Sequence, residues 1–147
     1  RILLFRGKGL VSALIRWQTR SRRYSHAAIL FDDGDMYEAW QGKGVQRTRV
    51  NSWTGIDVFA CHAINPVQIG QVRHFLAQQV GKHYDYLGVL RFVTRRKHSD
   101  DNAKWFCSEL VVAALRSASF LLFHVDVHPA QVAPEMISWS PLLVRTK

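Results

Sequence analysis

The sequence predicts an α+β fold in which helices pack on an antiparallel sheet, and three observations support this prediction. Apolar segments with strand character dominate the first part of the chain. Segments with helical spacing dominate the middle, from Asn65 to Leu115. A last strand is indicated at Leu142 to Val144, after short helical turns separated by prolines. Strands and helices that are grouped in this way are typical of the α+β class.

Length and composition indicate a single domain over residues 1–147. Hydrophobic residues make up 48% of the chain, which is enough for a buried core. The formal charge of +9 indicates an anionic partner: nucleic acid, an acidic envelope polymer or a lipid headgroup surface. Two cysteines are too few for a disulfide scaffold, and no apolar run approaches the ~20 residues of a transmembrane helix. The chain starts at Arg1 without a methionine, so a removed upstream segment is left open.

The first part of the chain is predicted to form strands separated by sharp turns. The Asp32-Asp33-Gly34-Asp35 segment is a strong hairpin signal. It separates a strand that carries His26 from a strand that carries Glu38. The strands are predicted over 2–5, 24–31, 36–40, 45–50 and 56–61, and a helix is predicted from Leu10 to an end within the basic segment 19–23.

The second part is predicted to be mainly helical. Asn65 and Pro66 have the N-cap and first-position roles of a helix that stops at Gly81. The buried stripe of that helix is expected to contain Ile69, Val72, Leu76 and Val80. Further expectations are a helix over 84–93, a polar loop over 94–104, a helix that begins at Cys107, and a β-prone segment over 120–127.

Cys107 is the strongest candidate for a reactive side chain. It lies in the segment Trp105-Phe106-Cys107-Ser108-Glu109, where an amphipathic helix begins. Unpaired N–H groups and the helix dipole stabilise an anion there, so a thiol at this position is biased towards the reactive thiolate. Cys61 lies on an apolar strand and is interpreted as a core residue.

His26 is the candidate base for this thiol, because a histidine beside a cysteine is the usual activating pair. Glu38 is the candidate that orients His26. The two side chains share a sheet face only if the hairpin loop has an odd number of residues, three or five. A loop of four residues would place Glu38 on the other face, and Gln41 would then be the alternative orienting residue.

These residues resemble a known family. Its pattern matches Ser25-His26, Tyr37-Glu38-Ala39, the segment Gly81 to Tyr86 and the segment Trp105 to Leu110. The opening Leu3-Leu4-Phe5-Arg6-Gly7 is also similar, and the likeness extends from residue 2 to the Ser140-Pro141 segment. The chain resembles the circularly permuted NlpC-type, papain-like cysteine hydrolases of the YiiX-like branch.

The resemblance implies a permuted papain-like fold with Cys107 as nucleophile, His26 as base and Glu38 as orienting carboxylate. It implies no cofactor. By resemblance Tyr84 is a candidate donor to the oxyanion or substrate, with packing as an equal alternative. Ser108 is a weaker candidate and is expected to cap or pack, and the backbone N–H of Cys107 is preferred as oxyanion donor. Glu109 is explained by the helix dipole.

Two other site chemistries receive little support. The histidines and cysteines lack the close ligand spacing of a metal site, so no metal is expected. Basic clusters at residues 20–23, 47–49 and 95–97 belong to no recognisable nucleic-acid module, so no specific nucleic-acid partner is expected. The last cluster is a candidate for steering an anionic substrate.

The sequence therefore predicts a cysteine hydrolase that cleaves an amide in a cell-wall peptide of the peptidoglycan type. The same chemistry on a lipid ester or amide, as hydrolase or acyltransferase, is the alternative. A basic binding module without activity, for an anionic polymer or membrane surface, is the alternative from another class. A bacterial envelope, phage or secreted setting is compatible with these predictions, and the oligomeric state is left open.

Overall fold

The computed structural model describes residues 1–6, 23–87 and 104–147. Strands and helices are named here in chain order. They are β1 (Ile2–Phe5), β2 (His26–Leu30), β3 (Met36–Trp40), β4 (Gly44–Thr48), β5 (Ile56–Cys61), α1 (Pro66–Gln79), β6 (His83–Tyr84), β7 (Lys104–Trp105), α2 (Cys107–Ser117), a 3-10 turn (Pro129–Gln131), α3 (Pro134–Ile137) and β8 (Leu143–Arg145).

The main sheet has six strands in the order β4-β3-β2-β1-β5-β8, and every pairing in it is antiparallel. The predicted α+β class with an antiparallel sheet is therefore confirmed. Helix α2 packs across β2 and β3 on one face of this sheet, and α1 packs beside α2. Strands β6 and β7 form a separate parallel pair.

Each face of the sheet has its own apolar cluster, because side chains alternate along a strand. Leu4, Ala27 and Phe59 belong to the larger cluster, which also contains the apolar residues of α2. Leu3, Ala28 and Val58 belong to the smaller cluster on the other face. Within the described ranges, no helix is both long and apolar enough to cross a membrane.

A buried carboxylate holds together the end of the sheet at which β1 finishes and β2 begins. Asp57 on β5 accepts hydrogen bonds from Tyr24 and Arg6, and it pairs with Arg145 at 2.9 Å and Arg23 at 3.2 Å. Burial raises the pKa of Asp57, but the bonds from Tyr24 and Arg6 and the arginine charges lower it overall. Asp57 is therefore ionised at neutral pH and anchors three separate chain segments.

Helix α1 begins as predicted but buries a narrower stripe than predicted. Asn65 and Gln68 form a reciprocal capping box, with Gln68 N–H donating to Asn65 Oδ1 at 2.9 Å. Val72 and Leu76 are buried, whereas Ile69 is 38% exposed and Val80 is 45% exposed. The expectation for Ile69 and Val80 was wrong. Val80 is the C-cap with extended backbone angles, so it has already left the helical face.

Three other expectations for the second half need correction. Tyr84 lies in β6 instead of opening a helix, because it pairs with Trp105 of β7, and Lys104 is likewise a strand residue and not part of a loop. The segment 120–127 forms turns and no strand, since Phe120 and Leu122 enter the core one at a time.

In the first half, the predicted strand over 45–50 is found over Gly44–Thr48. Residues 10–22, which contain the first predicted helix up to its expected end, lie outside the described residues, as do residues 88–93 of the predicted helix over 84–93 and residues 94–103 of the predicted loop.

Gly44 and Gly42 provide a matched test of the close contact between β4 and the segment before β6. Both have positive φ, at +74° and +80°. A Cβ on Gly44 would lie 2.2 Å from the Lys82 carbonyl oxygen, whereas a Cβ on Gly42 would meet nothing within 4 Å. We expect Gly42→Ala to lower the free energy of unfolding by about 1 kcal/mol, from backbone strain alone. Gly44→Ala should cost about 2–4 kcal/mol, because steric overlap is added.

Urea denaturation of both variants measures this difference. Equal losses for the two variants would show that β4 and the Lys82 segment are not in close contact.

Candidate active site

The connection between β2 and β3 places His26 and Glu38 on one face of the sheet. Leu30 lies opposite Met36, so five residues connect the two strands, which is one of the two odd loop lengths considered above. The turn residue Gly34 has a φ of +87°, a conformation that glycine adopts without penalty. As a result His26 Nε2 and Glu38 Oε2 are 2.7 Å apart.

Glu38 is held by both of its carboxylate oxygens. It is only 4% exposed, and its Oε1 accepts a hydrogen bond of 2.8 Å from Gln46 Nε2. Gln46 lies directly opposite Glu38 in the β3–β4 pairing. Gln46 has no distinguishing signal of its own in the sequence. Pairing the predicted third and fourth strands across the glycines at 42 and 44 would have indicated it.

The imidazole of His26 is also held between two aromatic rings. Phe5 on β1 lies directly opposite His26, with ring centroids 5.0 Å apart. The Trp40 ring on β3 approaches at 4.9 Å, and both contacts are edge-on. These rings restrict rotation of the imidazole, so the ring nitrogen not bonded to Glu38 has a fixed direction.

Cys107 is the first residue of α2 and is almost fully buried, with 2% exposure. Its sulfur is hydrogen-bonded to the His26 side chain and accepts hydrogen bonds from the backbone N–H groups of Ala27 and Ser108. Burial alone raises the pKa of the thiol. The His26 charge, the bond to His26 and the two backbone donors outweigh burial, so the pKa of Cys107 lies below its ordinary value.

The pKa of His26 is shifted in the opposite direction, above its ordinary value. Burial opposes the imidazolium, but the Cys107 and Glu38 charges and hydrogen bonds raise the pKa of His26 to about 9. Because Nε2 is bonded to Glu38, Nδ1 is the atom that is left to face the sulfur. With a pKa of about 9, His26 is protonated at neutral pH; its charge favours the thiolate form of Cys107 on one side, and Glu38 is hydrogen-bonded to it on the other.

The weaker candidates are divided between the site and the core. The Tyr84 side chain is buried, hydrogen-bonded to Gln41, and feels the charge of Cys107, so it borders the site. Gln41 is thus a partner of Tyr84 and not of His26. Ser108 is fully buried, and its hydroxyl donates to the Val132 carbonyl at 2.6 Å, so this side chain is anchored in the core.

Glu109 caps the start of α2 and is not explained by the dipole alone. Its carboxylate accepts a 3.3 Å hydrogen bond from the Phe106 N–H. Burial, with a smaller contribution from the charge of Asp85, raises the pKa of Glu109 to about 7. Since Glu109 is partly protonated near neutral pH, it opposes the Cys107 thiolate less than a fully ionised carboxylate would.

Comparison with solved structures shows a likeness of fold. The chain is similar to the crystal structure of the metalloprotein YiiX from Escherichia coli O157:H7, a DUF1105 protein, with a TM-score of 0.74. The likeness covers 99% of this chain and 94% of that one, at 18% identity, and at this identity it shows the fold alone. No protein-family profile matches the sequence. No curated protein matches it either.

YiiX is called a metalloprotein, whereas the described part of this chain has no candidate ligand set for a metal ion. Residues 1–6, 23–87 and 104–147 contain no group of three or more His, Cys, Asp or Glu side chains that could hold a metal ion. In the Cys107–His26–Glu38 arrangement the imidazole lies between the sulfur and the carboxylate, so the three do not converge on one point.

Replacing Glu38 by Gln tests the electrostatic part of this arrangement. Loss of the carboxylate charge should lower the pKa of His26 from about 9 by roughly 1–3 units. The measurement is an NMR titration of the imidazole, with the exposed Asp33→Asn as a control that should leave the pKa of His26 unchanged. A pKa of His26 that does not move in Glu38→Gln contradicts the arrangement.

Proposed function

We propose that this chain is a cysteine hydrolase of the circularly permuted papain-like, NlpC-type group. In this proposal Cys107 is the nucleophile, His26 is the acid and base, and Glu38 orients His26. One observation carries the proposal: a single buried imidazole is hydrogen-bonded to a thiol at a helix start and to a buried carboxylate. This is the arrangement that nucleophilic acyl transfer requires.

Acylation follows from the charges already present. The Cys107 thiolate attacks the carbonyl carbon of the substrate, and the negative charge moves to the carbonyl oxygen. The backbone N–H of Cys107 at the start of α2 is the proposed donor to this oxyanion. His26 then gives its Nδ1 proton to the leaving amine as the carbon–nitrogen bond breaks, which leaves an acyl-thioester on Cys107.

Deacylation returns the site to its starting state. Neutral His26 takes a proton from a water molecule, and the resulting hydroxide attacks the thioester carbon. The carbon–sulfur bond breaks, the acid product leaves, and the thiolate is again paired with the imidazolium. Glu38 accepts a hydrogen bond from the imidazole at both stages and stabilises the imidazolium when it forms.

A cell-wall peptide of the peptidoglycan type is the proposed substrate class. The net charge of +9 suits an anionic envelope polymer. A lipid ester or amide presents the same acyl carbon to the thiolate. Purified peptidoglycan and a panel of phospholipids, assayed side by side, distinguish these two substrate classes.

The two cysteines should differ sharply towards iodoacetamide. At pH about 6 the Cys107 thiolate should already react, because its pKa is lowered, whereas burial raises the pKa of Cys61 and keeps it a thiol. We expect at least a tenfold rate difference by peptide mass spectrometry, with the denatured protein as control. Equal, slow labelling of both would favour a binding module without activity.

Removal of the sulfur should abolish turnover. Cys107→Ala is expected to reduce product release from peptidoglycan by about 10³-fold or more, since no other group forms the thioester. Cys61→Ala should retain nearly full activity and a similar melting temperature. Activity that survives in Cys107→Ala on a substrate that the wild type cleaves would sink the nucleophile assignment.

A further inference from the structure

A groove of about 510 Å³ lies beside Tyr84, on the side of the site formed by the turn between β3 and β4. We call it the basic groove and define it by Lys43, His83, Tyr84, Tyr86 and Lys104. Asp85, Leu87 and three glycines complete its lining. Tyr84 pairs with Trp105 of β7, and Cys107 follows two residues later at the start of α2, so the groove lies beside the helix start that carries the proposed nucleophile.

The two walls of the basic groove are tied together by hydrogen bonds. The Gly42 N–H donates to Tyr86 Oη at 2.7 Å, and the Gln41 side chain bonds to Tyr84. Below them, Val45 N–H donates to the Lys82 carbonyl at 2.8 Å. The groove is therefore preorganised, so little ordering is needed when a ligand enters.

The lining carries an excess of positive charge. Lys43 and Lys104 are the permanent cations, and Asp85 is the acidic residue of the lining. Over residues 1–6, 23–87 and 104–147, neither lysine forms an ion pair with a carboxylate. Tyr86 is 57% exposed and adds an aromatic surface at the rim. Such a lining favours a ligand with one anionic group on a partly apolar body.

We propose that the basic groove binds a substrate carboxylate through Lys43 and Lys104, next to the bond that Cys107 attacks. This inference rests on the proposed function and narrows its substrate class to acidic peptides. A carboxylate fits better than a phosphate, because the excess of positive charge in the lining is small, with two lysines against Asp85.

Alkylation of Cys107 by paired peptides tests the inference. The probes are bromoacetyl-Gly-Glu amide and bromoacetyl-Gly-Gln amide, which differ in one carboxylate. In each case the thiolate forms a sulfur–carbon bond as bromide leaves. The second-order rate of Cys107 modification, followed by mass spectrometry, should be about five- to tenfold higher for the Glu probe, because two partly exposed lysines each contribute a few-fold.

Lysine variants separate the basic groove from general charge. Lys43→Gln and Lys104→Gln should each reduce the Glu preference by about two- to fivefold. Lys147→Gln is the matched control, because Lys147 follows β8 at the opposite edge of the six-stranded sheet, and it should leave the preference unchanged. Equal wild-type rates for the two probes, or a Glu preference that survives in both groove variants, overturns the inference.

A phosphoserine probe and a calorimetric binding assay test the inference in two further ways. A bromoacetyl-Gly-phosphoserine amide that reacts faster than the Glu probe would reassign the groove to a phosphate group and overturn the carboxylate proposal. If no probe modifies Cys107, the proposed function fails, but the groove is still tested by calorimetry. Cys107→Ala should bind acetyl-Gly-Glu amide more tightly than acetyl-Gly-Gln amide, and equal affinities would again overturn the inference.

Discussion

The hydrogen bond between His26 and Glu38 is the interaction on which the proposed chemistry depends, and strand register makes it possible. Side chains alternate along strands, so one residue more or less between β2 and β3 would send Glu38 to the opposite face. The five-residue connection prevents this, and pairing with β4 adds Gln46 as the second support of the carboxylate. The strand register thus places the carboxylate that, together with Cys107, raises the pKa of His26.

Charge balance explains why this site tolerates burial. A lone thiolate or carboxylate in the interior would take up a proton, since burial penalises the charged form. Here the imidazolium of His26 lies between the Cys107 sulfur and the Glu38 carboxyl group, and backbone donors from Ala27 and Ser108 support the sulfur. The Phe5 and Trp40 rings hold the imidazole in place. Each of the three side chains, Cys107, His26 and Glu38, is therefore stabilised by the groups beside it.

Structural features that depend on interactions between neighbouring residues are predicted correctly from the sequence. Features that depend on contacts between residues distant in sequence are missed. The hairpin, the Asn65 cap and the helix start at Cys107 have local signals, and all three are found. The strand at Tyr84 has none, because it exists through pairing with Trp105, which is distant in sequence. The strand predicted over 120–127 is absent for the same reason. Its apolar residues pack in the core, but they do not pair with a neighbouring strand. Glu38 could be named but not placed, because the loop length is not encoded by any single residue.

The most direct test of the central claim is to trap the acyl-thioester. Protein mixed with a peptidoglycan stem peptide that it cleaves is quenched with acid within the first turnovers, and its peptides are examined by mass spectrometry. If Cys107 is the nucleophile, an acyl adduct is expected on the peptide that contains Cys107. Hydroxylamine should release this adduct, because hydroxylamine cleaves thioesters. Cleavage of that substrate with no adduct on Cys107, or an adduct that persists in Cys107→Ala, would contradict the nucleophile assignment.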